Sequence, residues 1–331
     1  MQPLIVRTDP DVQIADRCRD ELEALGQLFT CDDDREATIL AAVPNAEIIL
    51  TCYAPITRRI MEAAPRLKGI VKYGVGVDSI DQQAAAERGV YVVNCPDYGT
   101  ETVADHAFTL LAALARKLPT ISRKMRDEGW TWPTDEVLAT DVYGKTLGLV
   151  GFGRIARAVA RRGQGFGMEV LAADPYVDAS IFSRANVPQV PLNLLLRRSD
   201  FVSLHCVLTD ETHSLLGATE LRSMKPTAFL INVSRGALVD QPALQRALSE
   251  RWIAGGGFDV FSDEPLTTDY PLAGMDNVIL TPHLAWYTSE ALARLDADTL
   301  QAVREILAGV PPRKLKNGEL LARHAPKLAT T

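Results

Sequence analysis

Short apolar runs alternate with helix-like segments along almost the whole chain, and this alternation restricts the fold more than any other feature. A first series of runs covers residues 4–6, 46–50, 67–71 and 90–93, and a second covers 146–150, 170–173, 201–205, 228–232 and 278–280. Each run has the length of a buried strand, and strands that alternate with helices form βαβ units with parallel sheets. The pattern therefore predicts an α/β protein with two parallel sheets.

The two series meet near residues 94–100, where Pro96 and Gly99 interrupt the pattern. A last apolar helical stripe, at 289–307, follows the end of the second series. We therefore expect the chain to cross back to its first domain. The prediction is a flavodoxin-like domain of residues 1–100 plus 289–331, with a Rossmann-like domain of residues 101–288 inserted into it.

Composition and charge favour an ordinary globular protein. The 331 residues are 47% hydrophobic and carry a formal charge of −7 without a basic block, which argues against nucleic-acid binding. No run approaches the ~20 apolar residues of a membrane span, and the N-terminus does not resemble a signal peptide. The five cysteines form no CxxC pair. We expect reduced thiols, no metal site, no membrane contact and a cytoplasmic location.

A long helix at 101–116 is apolar on most of its surface, so it requires burial by the neighbouring domain or by a second subunit. The region after it, 118–144, is polar and irregular, with Trp130 and Trp132 beside Pro133. We expect an extended arm here. Helix and arm together carry more apolar surface than one domain should need, and the prediction is a homodimer built through residues 101–145.

The sequence KTLGLVGFGRIA (145–156) joins an apolar strand directly to a helix. Gly151 permits a tight turn, and Gly153 lets the backbone approach a pyrophosphate at the helix N-terminus. Ala156 at the third position is small enough for the helix to pack on the sheet. A lone GxGxxG motif is weak evidence, but its place between strand and helix favours a dinucleotide site.

The next strand ends in Asp174, 21 residues after Gly153 and close to the ~20 expected for a carboxylate that binds the ribose 2′-OH. Such a carboxylate accepts hydrogen bonds from the free diol and repels a 2′-phosphate. NAD is therefore expected rather than NADP. The alternative is an Asp that only caps a helix or a turn before Pro175.

Five further runs occur in a fixed order, which is more specific than any single motif. They are VKYGVGVDSI (71–80), TVADHA (102–107), NVSRGALVD (232–240), FDVFSDEP (258–265) and TPHLAW (281–286). From residue 71 to about 307 the chain resembles the D-isomer-specific 2-hydroxyacid dehydrogenases. The PHLAWY run (282–287) and the helix after it are most similar to the C-terminal-binding-protein branch, which includes bacterial dehydrogenases and animal transcriptional corepressors.

The resemblance implies three catalytic roles. Arg235 would bind the substrate carboxylate through its fork of donors and polarise the carbonyl. His283 would be the general acid in reduction and the base in oxidation, and Glu264 would hydrogen-bond His283 and favour its imidazolium. Each residue has an alternative: a loop histidine, a surface charge at a turn, and a solvated acid. Together, at the ends of successive strands where open α/β sheets bind ligands, they favour function.

The resemblance also implies the remaining contacts. Residues 101–288 would bind NAD and the discontinuous domain would bind substrate. Val75 and Gly76 would form a substrate loop that faces Arg235, and Trp286 would shape the pocket. Asp259 would meet the nicotinamide carboxamide, unless it is an ordinary turn carboxylate. The other implied cofactor contacts are Arg154, Ile155, Cys206, Thr212 and Val233.

The chain departs from the family pattern at two places. Val207 replaces a proline that many members carry, which loosens that loop without removing its backbone. Residues 50–55 lack the arginine of phosphoglycerate-specific relatives, so an unphosphorylated substrate is favoured. The expected function is NAD-dependent interconversion of a small 2-oxo acid and its D-2-hydroxy acid. The alternative from another class is an NAD(H)-sensing interaction protein like the corepressors. The sequence leaves the substrate side chain open.

Overall fold

The computed structural model describes residues 2–10 and 17–324 and divides into two compact units. The first unit combines Met1–Gly99 with Thr288–Thr331, and the second is Thr100–Tyr287. The first unit is thus discontinuous along the chain. The assignment of substrate to one unit and cofactor to the other stays a prediction.

The first unit contains a five-stranded sheet in the order β2-β1-β3-β4-β5, with every neighbouring pair parallel. This order is that of flavodoxin-like folds. The third strand is buried along its whole length. The strands are β1 (Leu4–Arg7), β2 (Gln27–Thr30), β3 (Ala46–Thr51), β4 (Gly69–Lys72) and β5 (Tyr91–Val93).

Within the described residues of this unit, six helices accompany the sheet: α1 (Arg19–Leu25), α2 (Glu36–Ala42), α3 (Arg58–Ala63), α4 (Gln82–Glu87), α12 (Ser289–Leu307) and α13 (Gly318–His324). The C-terminal helix α12 begins where the Thr288 hydroxyl accepts a hydrogen bond from Ala291 N. Its apolar stripe packs on β4 so closely that a Cβ at Gly69 would lie 2.5 Å from Ile306 Cδ1. The stripe at 289–307 therefore completes the core of the first unit.

The second unit contains a six-stranded parallel sheet in the order β11-β10-β9-β8-β6-β7. The direction of strand succession reverses beside β6, and such a switch point is where open α/β sheets bind ligands. Its strands are β6 (Thr146–Val150), β7 (Glu169–Ala173), β8 (Phe201–Leu204), β9 (Phe229–Asn232), β10 (Gly255–Phe258) and β11 (Val278–Leu280). The predicted α/β class with two Rossmann-like parallel sheets is confirmed.

Seven helices belong to the second unit: α5 (Thr100–Ala115), α6 (Leu118–Asp127), α7 (Arg154–Gly165), α8 (Ala179–Ala185), α9 (Leu192–Arg198), α10 (Ala218–Ser223) and α11 (Gln241–Ser249). The long helix α5 packs against α7, β9, β10 and β11 of its own unit. Phe108, Leu110, Leu111 and Leu114 are buried there. The prediction that this helix needs the neighbouring domain or a second subunit for its burial is therefore wrong, while the homodimer itself stays a prediction.

The region after α5 also differs from the prediction. Residues 118–127, expected to be irregular, form the helix α6, which has a proline in its first turn and buries none of its residues. A proline is tolerated there because the first N–H groups of a helix need no intrahelical acceptor. The rest of the arm keeps large side chains in solvent, among them Trp130 (71% exposed), Trp132 (73%) and Leu138 (70%).

Across the part of the chain that the structure describes, no helix is both long enough and apolar enough to cross a membrane. Over the same residues, no group of three or more His, Cys, Asp or Glu side chains is arranged to hold a metal ion.

Candidate active site

Three polar side chains lie after three neighbouring strands of the second sheet. Arg235 follows β9, Glu264 follows β10, and His283 follows β11. Since parallel strands present their carboxyl ends at one edge of a sheet, the three loops converge there. The structure thus brings together the three residues that the resemblance implies for catalysis.

His283 and Glu264 form a close pair, with 2.6 Å between Nδ1 and Oε2. Burial would raise the pKa of the Glu264 carboxyl, but the hydrogen bond and charge of His283, a bond from Phe261 N and the charge of Arg235 lower it below its ordinary value. Glu264 is therefore ionised near neutral pH and accepts only. Nδ1 of His283 must carry the proton of this bond, so the ring is fixed in orientation and tautomer.

Close backbone packing positions Arg235. A Cβ at the next residue, Gly236, would lie 2.0 Å from the carbonyl carbon of Phe261, so only glycine lets the two loops approach. The buried Asn232 side chain donates to Arg235 O (2.8 Å) and accepts from Ser234 N (3.0 Å). The Arg235 guanidinium is half-buried and lies near enough to Glu264 for its charge to influence that carboxyl.

The loop after β11 holds His283 in a left-handed backbone conformation, with φ of 55°. This conformation costs a residue with a side chain about 1–2 kcal/mol, so surrounding contacts must impose it. His283 N donates to the backbone oxygen of Asp259 (2.8 Å), and Trp286 Nε1 donates to His283 O (3.0 Å). The contacts of Trp286 therefore include the backbone of the His283 loop, and its predicted contact with substrate stays a prediction.

Asp259 is fully buried and its carboxylate accepts three hydrogen bonds from the same loop. The donors are Thr281 Oγ1 (2.6 Å), Leu284 N (2.9 Å) and Ala285 N (2.8 Å). The resemblance assigned Asp259 to the nicotinamide carboxamide, with an ordinary turn carboxylate as the alternative, and neither interpretation predicted these bonds to the loop after β11. The cofactor contact stays a prediction, while the described contacts make Asp259 an anchor of the His283 loop.

His205, which follows β8, does not fit the role of the acid. Burial lowers the pKa of His205 to about 3, and its Nε2 lies 2.9 Å from Ser203 Oγ. The ring is therefore neutral near neutral pH. Two histidines of the second unit lie near a carboxylate: His106 near the buried Asp259, and His283 near Glu264, which is partly exposed.

The glycine-rich turn has the shape that a dinucleotide requires. Gly151 has φ of 86°, and a Cβ there would lie 2.6 Å from Cys206 N. At Gly153 a Cβ would have no protein atom within 4 Å, and no side chain caps the N-terminus of α7. Ala156 is fully buried against the sheet. Backbone N–H groups of this helix end are thus available to a pyrophosphate, and the residues fit the cofactor.

Asp174 lies beside that turn. Its Oδ2 accepts from Phe152 N (2.8 Å) within the glycine-rich segment, and its Oδ1 accepts from Tyr176 N (3.0 Å). The bond from Tyr176 N is the turn role that the sequence offered as an alternative. The bond from Phe152 N ties the carboxylate to the glycine-rich segment. Each oxygen retains acceptor capacity for a ribose hydroxyl.

The remaining predicted cofactor contacts lie in the second unit, and the predicted substrate loop lies in the first. Burial, with the charge of Asp174, raises the pKa of the Cys206 thiol to about 11, so it stays protonated. Thr212 Oγ1 donates to Val207 O (2.7 Å) and orders the loop after β8. Val233 is buried, Ile155 half-buried and Arg154 exposed. Val75 and Gly76 follow β4 in the first unit, where Asn94 Nδ2 donates to Val75 O (2.6 Å).

Comparisons with known proteins identify the family of the chain. Residues 108–285 match the family model described as "D-isomer specific 2-hydroxyacid dehydrogenase, NAD binding domain". A glyoxylate reductase of Korarchaeum cryptofilum is 45% identical over 274 residues, which are 82% of each chain. A D-3-phosphoglycerate dehydrogenase of Synechocystis is 38% identical over 90% of this chain, which spans only 53% of that relative.

Among solved structures, the D-lactate dehydrogenase of Aquifex aeolicus complexed with NAD and lactic acid superposes with a TM-score of 0.84. It shares 32% sequence identity, with 92% of this chain and 96% of the other covered. The fold, the glycine-rich turn and the matches to known proteins together define an NAD-dependent dehydrogenase. The chain belongs to the D-isomer specific 2-hydroxyacid dehydrogenase family, as the sequence motifs predicted. Membership of the C-terminal-binding-protein branch stays a prediction.

Proposed function

We propose that the protein interconverts a small, unphosphorylated 2-oxo acid and its D-2-hydroxy acid with NAD(H). The observation that carries the proposal is the 2.6 Å pair of His283 and the ionised Glu264, with the Arg235 charge beside it. This set supplies an acid that exchanges protons, a carboxylate that orients it, and a cation for the substrate carboxylate. The glyoxylate reductase and D-lactate dehydrogenase relatives support a small oxo acid.

The chemistry follows from the three side chains. Bound nicotinamide supplies the hydride that reduces the substrate carbonyl. Arg235 binds the carboxylate of the oxo acid through two parallel N–H bonds and draws electron density from the adjacent carbonyl. With Nδ1 held by Glu264, His283 delivers its other ring proton, from Nε2, to the developing alkoxide. In the reverse direction the same nitrogen removes the hydroxyl proton.

A panel of substrates tests the proposal. NADH oxidation at 340 nm is measured with glyoxylate, hydroxypyruvate, pyruvate and bulkier 2-oxo acids, and the reverse reaction with both isomers of each chiral hydroxy acid. We expect reduction of at least one small oxo acid and oxidation of the D isomer alone. Flat traces with every acid, while NADH still binds, would support the NAD(H)-sensing interaction protein instead.

The position of Asp174 predicts the cofactor preference. Wild-type kcat/KM should be at least about tenfold higher with NADH than with NADPH, because one hydrogen bond to a charged group contributes about 1.5–3 kcal/mol and a 2′-phosphate would be repelled. Asp174→Asn should lower the ratio of kcat/KM with NADH to kcat/KM with NADPH. Asp210→Asn, the same change at an exposed acid, should not. Equal wild-type efficiencies with the two cofactors would refute the role of Asp174.

Glu264→Gln should have a milder effect than loss of His283. The amide can still hydrogen-bond the ring, but it lacks the negative charge that stabilises the imidazolium. In kcat–pH profiles of reduction, the alkaline limb should therefore move to lower pH. A variant whose alkaline limb coincides with that of the wild type would argue against electrostatic support by Glu264.

We also propose a homodimer formed through residues 101–145. With α5 covered by its own unit, the support now comes from the arm, where Trp130 and Trp132 are more than 70% exposed, as is Tyr143. Light scattering at micromolar concentration should give twice the chain mass of 36.1 kDa. Replacing both tryptophans by Ser should favour the monomer, whereas Val310→Ser, at an exposed site of the first unit, should not. A wild-type monomer would contradict the proposal.

A further inference from the structure

A chain of hydrogen bonds runs from α5 to the loop that carries His283. Nε2 of His106, a half-buried residue of α5, lies 3.0 Å from Thr281 Oγ1. The Thr281 hydroxyl donates its only proton to Asp259 Oδ1, 2.6 Å away. Thr281 Oγ1 can therefore only accept from His106, so Nε2 of His106 carries the proton. The same nitrogen is 3.6 Å from Asp259 Oδ1.

The end of this chain fixes the backbone on both sides of His283. Asp259 accepts from the hydroxyl of Thr281, from Leu284 N and from Ala285 N, and its own backbone oxygen accepts from His283 N. These bonds hold the backbone on both sides of His283 and contribute to its left-handed conformation. The direction of the Thr281 hydroxyl is thus one of the constraints on the catalytic loop.

We propose that His106 is a positioning residue for His283. By donating to Thr281 Oγ1, it orients the hydroxyl so that its proton goes to Asp259, and the bonds polarise one another along the chain. The proposal rests on the proposed role of His283 as acid and base. His106 acts through Thr281 and Asp259 and exchanges no proton with substrate.

The test compares variants that remove or restore the donor. His106→Leu keeps the bulk of the ring without an N–H, whereas His106→Gln offers a side-chain N–H at similar reach. In His106→Leu we expect kcat for reduction of the best oxo acid to fall about tenfold, less than the ~10²-fold that a 1 Å misplacement can cost. KM for NADH should stay within about twofold, and His106→Gln should recover most of the loss.

Thr281 provides an independent arm. Thr281→Val removes the hydroxyl and should lower kcat to a similar extent, whereas Thr281→Ser keeps the hydroxyl and the activity. Because both residues act through one chain of bonds, the double variant His106→Leu/Thr281→Val should be no slower than the slower single variant. Thr109→Ala, at an exposed site one turn along α5, is the matched control and should leave kcat unchanged.

Several outcomes would overturn the proposal. Wild-type kcat in soluble His106→Leu, failure of His106→Gln to restore activity, or multiplicative losses in the double variant each contradict positioning through Thr281. If His106→Leu does not fold, the kcat of Thr281→Val is compared with that of Thr281→Ser, and His106→Gln is compared with the wild type. Equal kcat in the two Thr281 variants, or a large loss in His106→Gln, would then contradict the proposal. His283→Gln is measured alongside: if it is inactive while His106→Leu is normal, only the positioning role fails. If His283→Gln is fully active, both the acid assignment and the proposal fail.

Discussion

His283→Gln should lower kcat for reduction about 10²–10⁴-fold, the usual contribution of general acid–base catalysis. Glutamine keeps a polar side chain of similar length, and its amide can still hydrogen-bond Glu264. It cannot release and recover a proton near neutral pH, so the developing alkoxide is left without a donor. NADH affinity, measured by quenching of protein fluorescence, should change little, because the ring is paired with Glu264 and not with the glycine-rich turn.

The matched control is His324→Gln, which makes the same replacement at an exposed position of the first unit. This variant should keep wild-type kcat. Near-wild-type turnover of His283→Gln on the best substrate would show that another residue, or a water molecule, supplies the proton. The residual rate of the variant should then depend on pH as the wild type does.

Hydrophobic periodicity was sufficient for most of the fold but missed two strands of opposite character. Strand β2 is an edge strand whose residues Gln27 and Phe29 are exposed, so it never formed a buried apolar run. Strand β10 is fully buried but begins with three glycines, which disfavour strands. The glycines are needed because neighbours approach closely: a Cβ at Gly255 would lie 2.2 Å from Asn277 O.

The helix α6 was missed for a related reason. It buries none of its residues, and its apolar stripe of Leu118, Ile121 and Met125 is short and begins beside a proline, so the region was interpreted as irregular. Conversely, the helix at 289–307 was predicted with the bounds that the structure has, because Leu292, Leu295, Val303 and Ile306 all face the core. Hydrophobic periodicity therefore detects a long helix that packs on a core more readily than a short helix that is exposed on all sides.

The candidate site shows the same division. The order of motifs along the chain indicated Arg235, Glu264 and His283, although β10, the strand before Glu264, was not predicted. The hydrogen-bond partners of Asp259 could not be read in this way, since His106 and Thr281 are 175 residues apart. Only the packing of α5 against the sheet brings them together. Both residues lie within family motifs, at 102–107 and 281–286, but the sequence does not show that the two motifs are close in space.

Arg235→Lys should lower kcat/KM for the oxo acid about 10²-fold, with both a higher KM and a lower kcat. Lysine keeps the positive charge but loses the planar fork that holds a carboxylate by two bonds, and one hydrogen bond to a charged group contributes about 1.5–3 kcal/mol. Because the charge beside Glu264 remains, the kcat–pH profile should keep its shape.

Arg235→Gln removes the charge and the fork together and should lower kcat/KM further, about 10³-fold, while NADH affinity stays constant. Arg197→Lys, at an exposed position of α9, provides the control. An unchanged KM in Arg235→Lys would mean that the substrate carboxylate is bound elsewhere, and the guanidinium would then serve only to keep Glu264 ionised.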